Sequence, residues 1–408
     1  MNAATNEYLR QKFNAYYSSP AFLSALEIPG NLEQREWGFI FFDNADKKGM
    51  KRHTSFSSKD EVVNYIRSMN PRHVYYSTAY YSLPSAGTMQ EKGWLGAELI
   101  FDLDADHIVR TAYDEMLRRV KEETFKIIDM LTHELGFTQD DIHLVFSGGR
   151  GYHVHIEMPE VKGWGSSERR ELVDYVCGIG LDPEIMLQGR GGTDKGRGAG
   201  HAGRGNGAKT PTPSENIHSW HYRYRLSLLE YLTALKHMNQ DEAVAKLAAI
   251  KGISKDSAKE FIEKSLSPTI TRLKKPENTI MLSKSNRVLK TILTGEDSDF
   301  PNVLREKAAL KDEPVTTDVK RLIRAHGSLH GGSGFKVVSV DVKALDRFDP
   351  LIDPVYFGTA ETKVDLMFPL KMPLLGNNYS LVKGINTVPE AMAVFLCARG
   401  IAEYVGGK

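Results

Sequence analysis

A chain of 408 residues, 41% of them hydrophobic, is long enough for two or three domains with substantial cores. With 53 Lys and Arg against 52 Asp and Glu, it excludes a protein that holds nucleic acid by bulk positive charge, so any such site must be local. Two cysteines, Cys177 and Cys397, isolated from each other and from any His-rich spacing, indicate neither a disulfide framework nor a zinc site, and the lack of a signal-peptide pattern or a bilayer-length apolar run gives a cytoplasmic expectation with no membrane partner.

In chain order, apolar periodicity predicts helices over 6–18 and 57–69 on either side of a buried aromatic strand over 37–42. A tyrosine-rich strand follows over 73–81 and reads as core. The next strand, over 97–106, is the first that suggests chemistry. Leu99, Phe101 and Leu103 alternate toward a core, which leaves Glu98, Asp102 and Asp104 on the other face. Converging carboxylates repel unless they share a proton or hold divalent cations, and hard oxygen ligands suit Mg²⁺ and Mn²⁺. A phosphoryl-transfer site with two ions fits this pattern. Asp-Leu-Asp taken alone also fits a strand that ends in a capped turn. A long amphipathic helix comes next, starting at Thr111 and Asp114, apolar at Leu117, Val120, Ile127, Ile128, Leu131 and Leu135, and closed by Gly136.

Residues 142–156 read as strand, glycine turn and strand. Tyr152, Val154 and Ile156 alternate against His153 and His155 on the second arm. Glycines allow close approach of backbone N–H groups to an anion, Arg150 can fork two phosphate oxygens, and Ser147 and His153 can donate hydrogen bonds, so the hairpin is a candidate triphosphate cradle. An ordinary glycine hairpin with solvated basic residues is the alternative. Residues 189–207 hold nine glycines in 19 and are expected to be mobile. Helices over 225–238, 241–250 and 256–265 make a mainly helical insertion.

The stretch 311–335 again mixes carboxylates, basic residues and glycines. Asp318 is explained as the start of a short helix, whereas Asp312, before a proline on extended backbone, is the better third metal carboxylate. Arg324 and His330 are placed to meet the same phosphates as Arg150. Residues 360–367 read as a strand and 389–404 as a closing amphipathic helix.

Phe101-Asp102-Leu103-Asp104, Ser147-Gly148-Gly149-Arg150-Gly151-Tyr152-His153 and Arg321-Leu322-Ile323-Arg324 through Ser328-Leu329-His330, in this order and at this wide spacing, resemble the motifs of the catalytic small subunit of archaeal and eukaryotic DNA primase. The resemblance implies a mixed α/β primase core over 1–165 and 279–408, interrupted by a helical insertion over 166–278. It implies Asp102, Asp104 and Asp312 as catalytic ligands of two Mg²⁺ or Mn²⁺ ions, with Ser147, Gly148, Arg150, His153, Arg324 and His330 as nucleotide-binding residues. Asp312 precedes His330 by 18 positions, as expected of the family's third aspartate. The implied activity is template-directed synthesis of short primers on single-stranded DNA from nucleoside triphosphates, with pyrophosphate released, in a heterodimer with a large primase subunit that carries an iron–sulfur cluster. Many relatives carry a zinc-binding cysteine/histidine cluster after the catalytic strand; no cysteine stands between His107 and Gly136 here, so no zinc is expected. A metal-dependent nuclease could use the same aspartates without a triphosphate cradle, and a non-catalytic single-strand-binding module would need neither.

Overall fold

The structure is a computed structural model and describes residues 1–42, 49–104, 112–188, 218–275, 278–280, 282, 286–309 and 316–407. Thr111, the glycine-rich stretch 189–207 and Asp312 therefore lie outside the described residues. The chain is mixed α/β and divides into two compact units: Met1–Phe125 with Phe137–Val173 and Asp312–Lys408, and Lys126–Gly136 with Asp174–Lys311. Among the described residues no helix is long and apolar enough to cross a membrane.

The first unit is built on two antiparallel four-stranded sheets. Strands β1 (Trp37–Ile40), β2 (Lys51–Thr54) and β3 (His73–Ser77) belong to one of them, and β4 (Ala79–Tyr81) pairs separately with β5 (Trp94–Ala97). The other sheet contains β6 (Leu99–Asp104), β7 (Ile142–Phe146) and β8 (Gly151–Ile156). Strand β9 (Leu322–Arg324) then returns to the first sheet, giving the order β2-β1-β3-β9, and β10 (Val338–Val340) completes the second as β10-β7-β8-β6. The expected strand over 73–81 is thus two strands in different sheets, because the chain turns at Thr78 and Arg35 holds the Ser77 and Thr78 carbonyls on the inside of that turn. Residues 316–320 form turns and not a helix; the Asp318 carboxylate accepts from the Lys320 N–H at 2.9 Å, so the residue caps a turn.

Leu99, Phe101 and Leu103 are buried, as their alternation requires. The helix Tyr113–His133 buries Leu117, Val120, Ile127, Ile128 and Leu131. The closing segment differs from expectation. Glu390–Ala398 is a helix buried on every side from Ala391 to Ala398, and Ala402–Gly407 is a strand. Six consecutive hydrophobic side chains, Ala391 to Leu396, fit full burial better than an amphipathic stripe.

In the second unit the helix Trp220–His237 buries Tyr224, Arg225, Leu228, Tyr231, Leu232 and Leu235. The Arg225 guanidinium donates to the carbonyls of Lys275 at 3.0 Å and Asn278 at 3.1 Å, which satisfies a buried charge with peptide oxygens.

Glu98 sits where the chain passes from β5 to β6, so its side chain shares a face with Asp102 and Asp104. It lies four residues away, roughly 13 Å along the strand. There Arg35 and the His155 Nδ1 atom, the latter at 2.9 Å, engage its two oxygens, and all three groups are buried. Glu98 is therefore spent on the fold. Glu98→Ala should strand the Arg35 charge and cost about 3–5 kcal/mol in chemical denaturation, with Glu98→Gln costing less because the hydrogen-bonding shape is kept. Equal stability of Glu98→Ala and the parent would show that the network carries no such weight.

Candidate active site

Antiparallel pairing of β6 with β8 sets Asp102 opposite His153 and Asp104 opposite Gly151. That register places both carboxylates beside the glycine turn 147–151. Pairing of β3 with β9 sets Tyr75 opposite Arg324. The two sheets meet around a cleft of about 280 Å³ lined by Asp102, Asp104, Ser147, Arg150, His153 and, from the other sheet, Tyr75, Arg321–Arg324 and His330. Three sequence-distant stretches converge there. Of the expected site residues with described positions, only Gly148 is not on the lining, and Asp312 lies outside the described residues.

The turn is held by close packing. Gly148 adopts a φ of +71°, and a Cβ there would stand 2.8 Å from the His330 Cβ. A Cβ on Gly149 would stand 2.7 Å from the His330 Nε2. Gly151 has no room either, since its Cβ would fall 2.0 Å from the Leu103 carbonyl oxygen. The Gly149 and Gly151 N–H groups both point inward to the Ser147 Oγ at 3.3 Å, so these amides do not face the cleft as a simple anion nest would. The Ser147 hydroxyl keeps its own proton to donate.

Charges in the cleft are cross-paired. Arg321 donates to the Asp102 carboxylate at 3.0 Å, and the Arg150 Nε lies 3.8 Å from Asp104. Arg324 donates to the His73 Nδ1 at 2.8 Å, with its guanidinium 5.1 Å from the Tyr75 ring centroid. The His330 Nδ1 accepts from the Gly332 N–H at 3.1 Å, which assigns the ring proton to Nε2, on the side toward Gly149. Arg321, Tyr75 and His73 were not assigned to the site from sequence. Arg321 opens a matched motif, but β9 is too short for periodicity to reveal, and His73 and Tyr75 lie on β3, a strand that reads as core.

Burial pulls the pKa of His330 well below its usual value, with Arg324 and His73 adding to the shift. Burial does the same for His153, assisted by His155 and Arg324. Both rings are neutral hydrogen-bonding groups near pH 7. Burial also raises the Asp102 carboxyl, against the pull of Arg321 and with the help of Asp104. A buried carboxyl so placed, paired with a second carboxylate on the same face, is a donor set of hard oxygens that added positive charge would stabilise.

Comparison with known proteins decides the family. The family described as DNA primase small subunit matches residues 101–342, a span that contains every aspartate, arginine and histidine lining the cleft. The chain belongs to the DNA primase small subunit family. A DNA primase small subunit of Methanoregula boonei is 48% identical over 404 residues, covering 99% of this chain and 100% of the relative. That of Methanocorpusculum labreanum is 48% identical over 408 residues, covering 100% of both, and that of Methanosphaerula palustris is 45% identical over 410 residues, again covering 100% of both. The resemblance drawn from three motifs therefore holds for the primase small subunits at full length.

Two outcomes follow from the geometry. Gly151→Ala forces a methyl group against the Leu103 carbonyl across the β6–β8 ladder and should cost about 1–3 kcal/mol in thermal or chemical denaturation; an unperturbed transition would mean the ladder yields freely. The second concerns pH. A carboxyl whose folded pKa is raised above its unfolded value disfavours folding as pH rises through the interval between the two, and the penalty then stays constant. Without added divalent cations, Asp102→Asn should remove that part of the stability loss above the ordinary aspartate range, and added Mg²⁺ or Mn²⁺ should stabilise the parent more than the variant. Identical pH and cation responses of the two proteins would contradict this charge balance.

Proposed function

We propose that this chain is the catalytic subunit of a DNA primase, making short primers on single-stranded DNA from nucleoside triphosphates and releasing pyrophosphate. The observation that supports it most is the convergence, in one cleft, of two carboxylates from β6 with cationic and neutral donor groups from the glycine turn and β9. A nuclease needs the carboxylates but not the donor wall, and a binding module needs neither.

Asp102 and Asp104, joined by Asp312, hold two divalent ions, Mg²⁺ or Mn²⁺. Held there, such ions would lower the pKa of the attacking 3′-hydroxyl and neutralise the departing pyrophosphate. The protein's own residues position the nucleotide. Arg150 and Arg321, which face the aspartates, would be available to phosphate where cations balance the carboxylates. Arg324, half-buried and fixed by His73 and Tyr75, offers a preoriented guanidinium. The Ser147 hydroxyl and the Nε2–H of His330 donate to phosphate oxygens as neutral groups, with His153 beside Asp102 and Gly148 shaping the turn. Three arginines match three carboxylates, and two divalent ions match a fully ionised triphosphate. Template pairing selects the base, so little base readout by the protein is needed. The family's division into small and large subunits makes a large subunit the expected partner in initiation.

Primer synthesis on single-stranded template with each nucleotide type and Mg²⁺ or Mn²⁺ tests this reading. Asp102→Asn and Asp104→Asn should abolish product while leaving template binding nearly intact; full synthesis in either variant would remove the two-ion mechanism. Asp312→Asn should behave in the same way, whereas Asp318→Asn, which alters only an exposed turn cap, should cost little. Arg150→Ala should raise the nucleotide requirement by about tenfold to a hundredfold, for a lost charge-assisted contact of roughly 1.5–3 kcal/mol, and Arg150→Lys should fall between. Unchanged nucleotide affinity with a large loss of template affinity would move Arg150 to the nucleic-acid groove.

A further inference from the structure

We propose that Glu27, His143 and His326 form a binding site for one divalent transition-metal ion of the zinc class, separate from the cleft that holds Asp102 and Asp104. Glu27 follows the helix Pro20–Ala25, His143 lies on β7, and His326 stands two residues beyond β9. These three points are far apart in sequence. Their ligand atoms, one from each side chain, all lie within 4.8 Å of one another.

The Glu27–imidazole distances are longer than direct hydrogen bonds, while the His143 Nε2 lies 2.9 Å from the Ser339 hydroxyl, a contact that an ion on that nitrogen replaces. The Glu27 Oε2 atom is 3.5 Å from the His326 Nδ1 and 3.6 Å from the His143 Nε2. Direct N–H···O bonds centre near 2.9 Å. Two ligands bound at about 2.1 Å to one tetrahedral ion stand about 3.4 Å apart. A surrounding set of contacts is also in place. The Ser339 hydroxyl donates to the Glu27 Oε2 at 2.7 Å, and the other ring nitrogen of His326 lies 3.5 Å from the Tyr76 hydroxyl, the kind of outer partner that fixes the tautomer of a metal-bound imidazole. The neighbouring His155 ring lies 5.5 Å from that of His326, and its buried Nε2 has no hydrogen-bond partner among the described residues, so the polar capacity of this cluster exceeds what its own contacts use.

A second trio in the other unit, Asp129, His133 and His218, has a different character. Both imidazole Nδ1 atoms sit at hydrogen-bond distance from the Asp129 Oδ1, 3.1 and 3.0 Å, and Arg223 already lies 3.3 Å from the same carboxylate. Its contacts are those of an ion-pair cluster. At Glu27 the donor set is two imidazole nitrogens and one carboxylate oxygen, which selects Zn²⁺ or Co²⁺ over Mg²⁺, whereas the all-oxygen pair at Asp102 and Asp104 selects the reverse. An ion at Glu27 ties the N-terminal segment to β7 and to the chain leaving β9, two residues from Arg324. It acts as a clip on the strand that carries the cleft arginines.

Co²⁺ titration of the full chain tests this site by its visible ligand-field absorption. The expected result is one equivalent of Co²⁺ with intense low-coordination bands, displaced by Zn²⁺ and not by excess Mg²⁺, and retained in the Asp102→Asn/Asp104→Asn double variant. His143→Ala and Glu27→Gln alter exposed side chains, and each should abolish the bands along with the Zn²⁺-dependent rise in Tm, while circular dichroism stays that of the parent. Bands unchanged in both variants, bands lost only with the two aspartates, or no stoichiometric Co²⁺ binding by the parent would each overturn the proposal.

Discussion

The register between β6 and β8 is the constraint on which the rest of the site depends. With Asp102 opposite His153 and Asp104 opposite Gly151, the carboxylate face of one strand and the histidine face of its neighbour coincide. Strand side chains alternate with period two, so a slip of one residue would turn the aspartates into the core and Leu103 into the cleft. Gly151 enforces the register sterically, because the Leu103 carbonyl occupies the space a side chain would need. The apolar half of the same alternation, Leu99, Phe101 and Leu103 with Tyr152, Val154 and Ile156, is buried and supplies the energy that holds it.

One face of this sheet therefore carries a graded row of polar groups. At one end Asp102 and Asp104 meet arginines from β9 and the glycine turn; at the other, Glu98 is consumed by Arg35 and His155. The difference lies in what faces each carboxylate. Glu98 is fully matched by buried partners, and the combined pull of His155 and Arg35 outweighs burial and lowers its pKa. At Asp102 burial raises the pKa, against the pull of Arg321 and Arg324 and with the help of its like-charged neighbour Asp104. The first arrangement is a finished piece of structure, while the second is one that added positive charge would stabilise.

Much of this was legible in the sequence, for physical reasons. The Leu-x-Phe-Asp-Leu-Asp alternation and the two-armed hairpin with His153 and His155 on one side follow from strand geometry, and the structure pairs those strands directly. The cleft partners on the other sheet were less visible. Arg324 ends a strand of three residues that Arg321 immediately precedes, shorter than any periodic signal, and the same stretch read locally as the beginning of a helix at Asp318. The split of 73–81 into two strands depends on Arg35, some forty residues earlier, capping the carbonyls at the turn, which no local pattern encodes. Family resemblance supplied the roles that strand alternation alone left open, above all for Arg324 and His330.

The central claim is that a nucleoside triphosphate and two divalent ions occupy one cleft between β6, the glycine turn and β9. A crystal structure with Mn²⁺ and a non-hydrolysable nucleoside triphosphate tests it most directly, because the manganese anomalous signal locates the ions independently of the nucleotide. The account predicts two anomalous peaks between Asp102 and Asp104, with the phosphates against Arg150, Arg324, Ser147 and His330. Phosphates bound elsewhere on the chain, or manganese in the cleft with no contact to either aspartate, would contradict it.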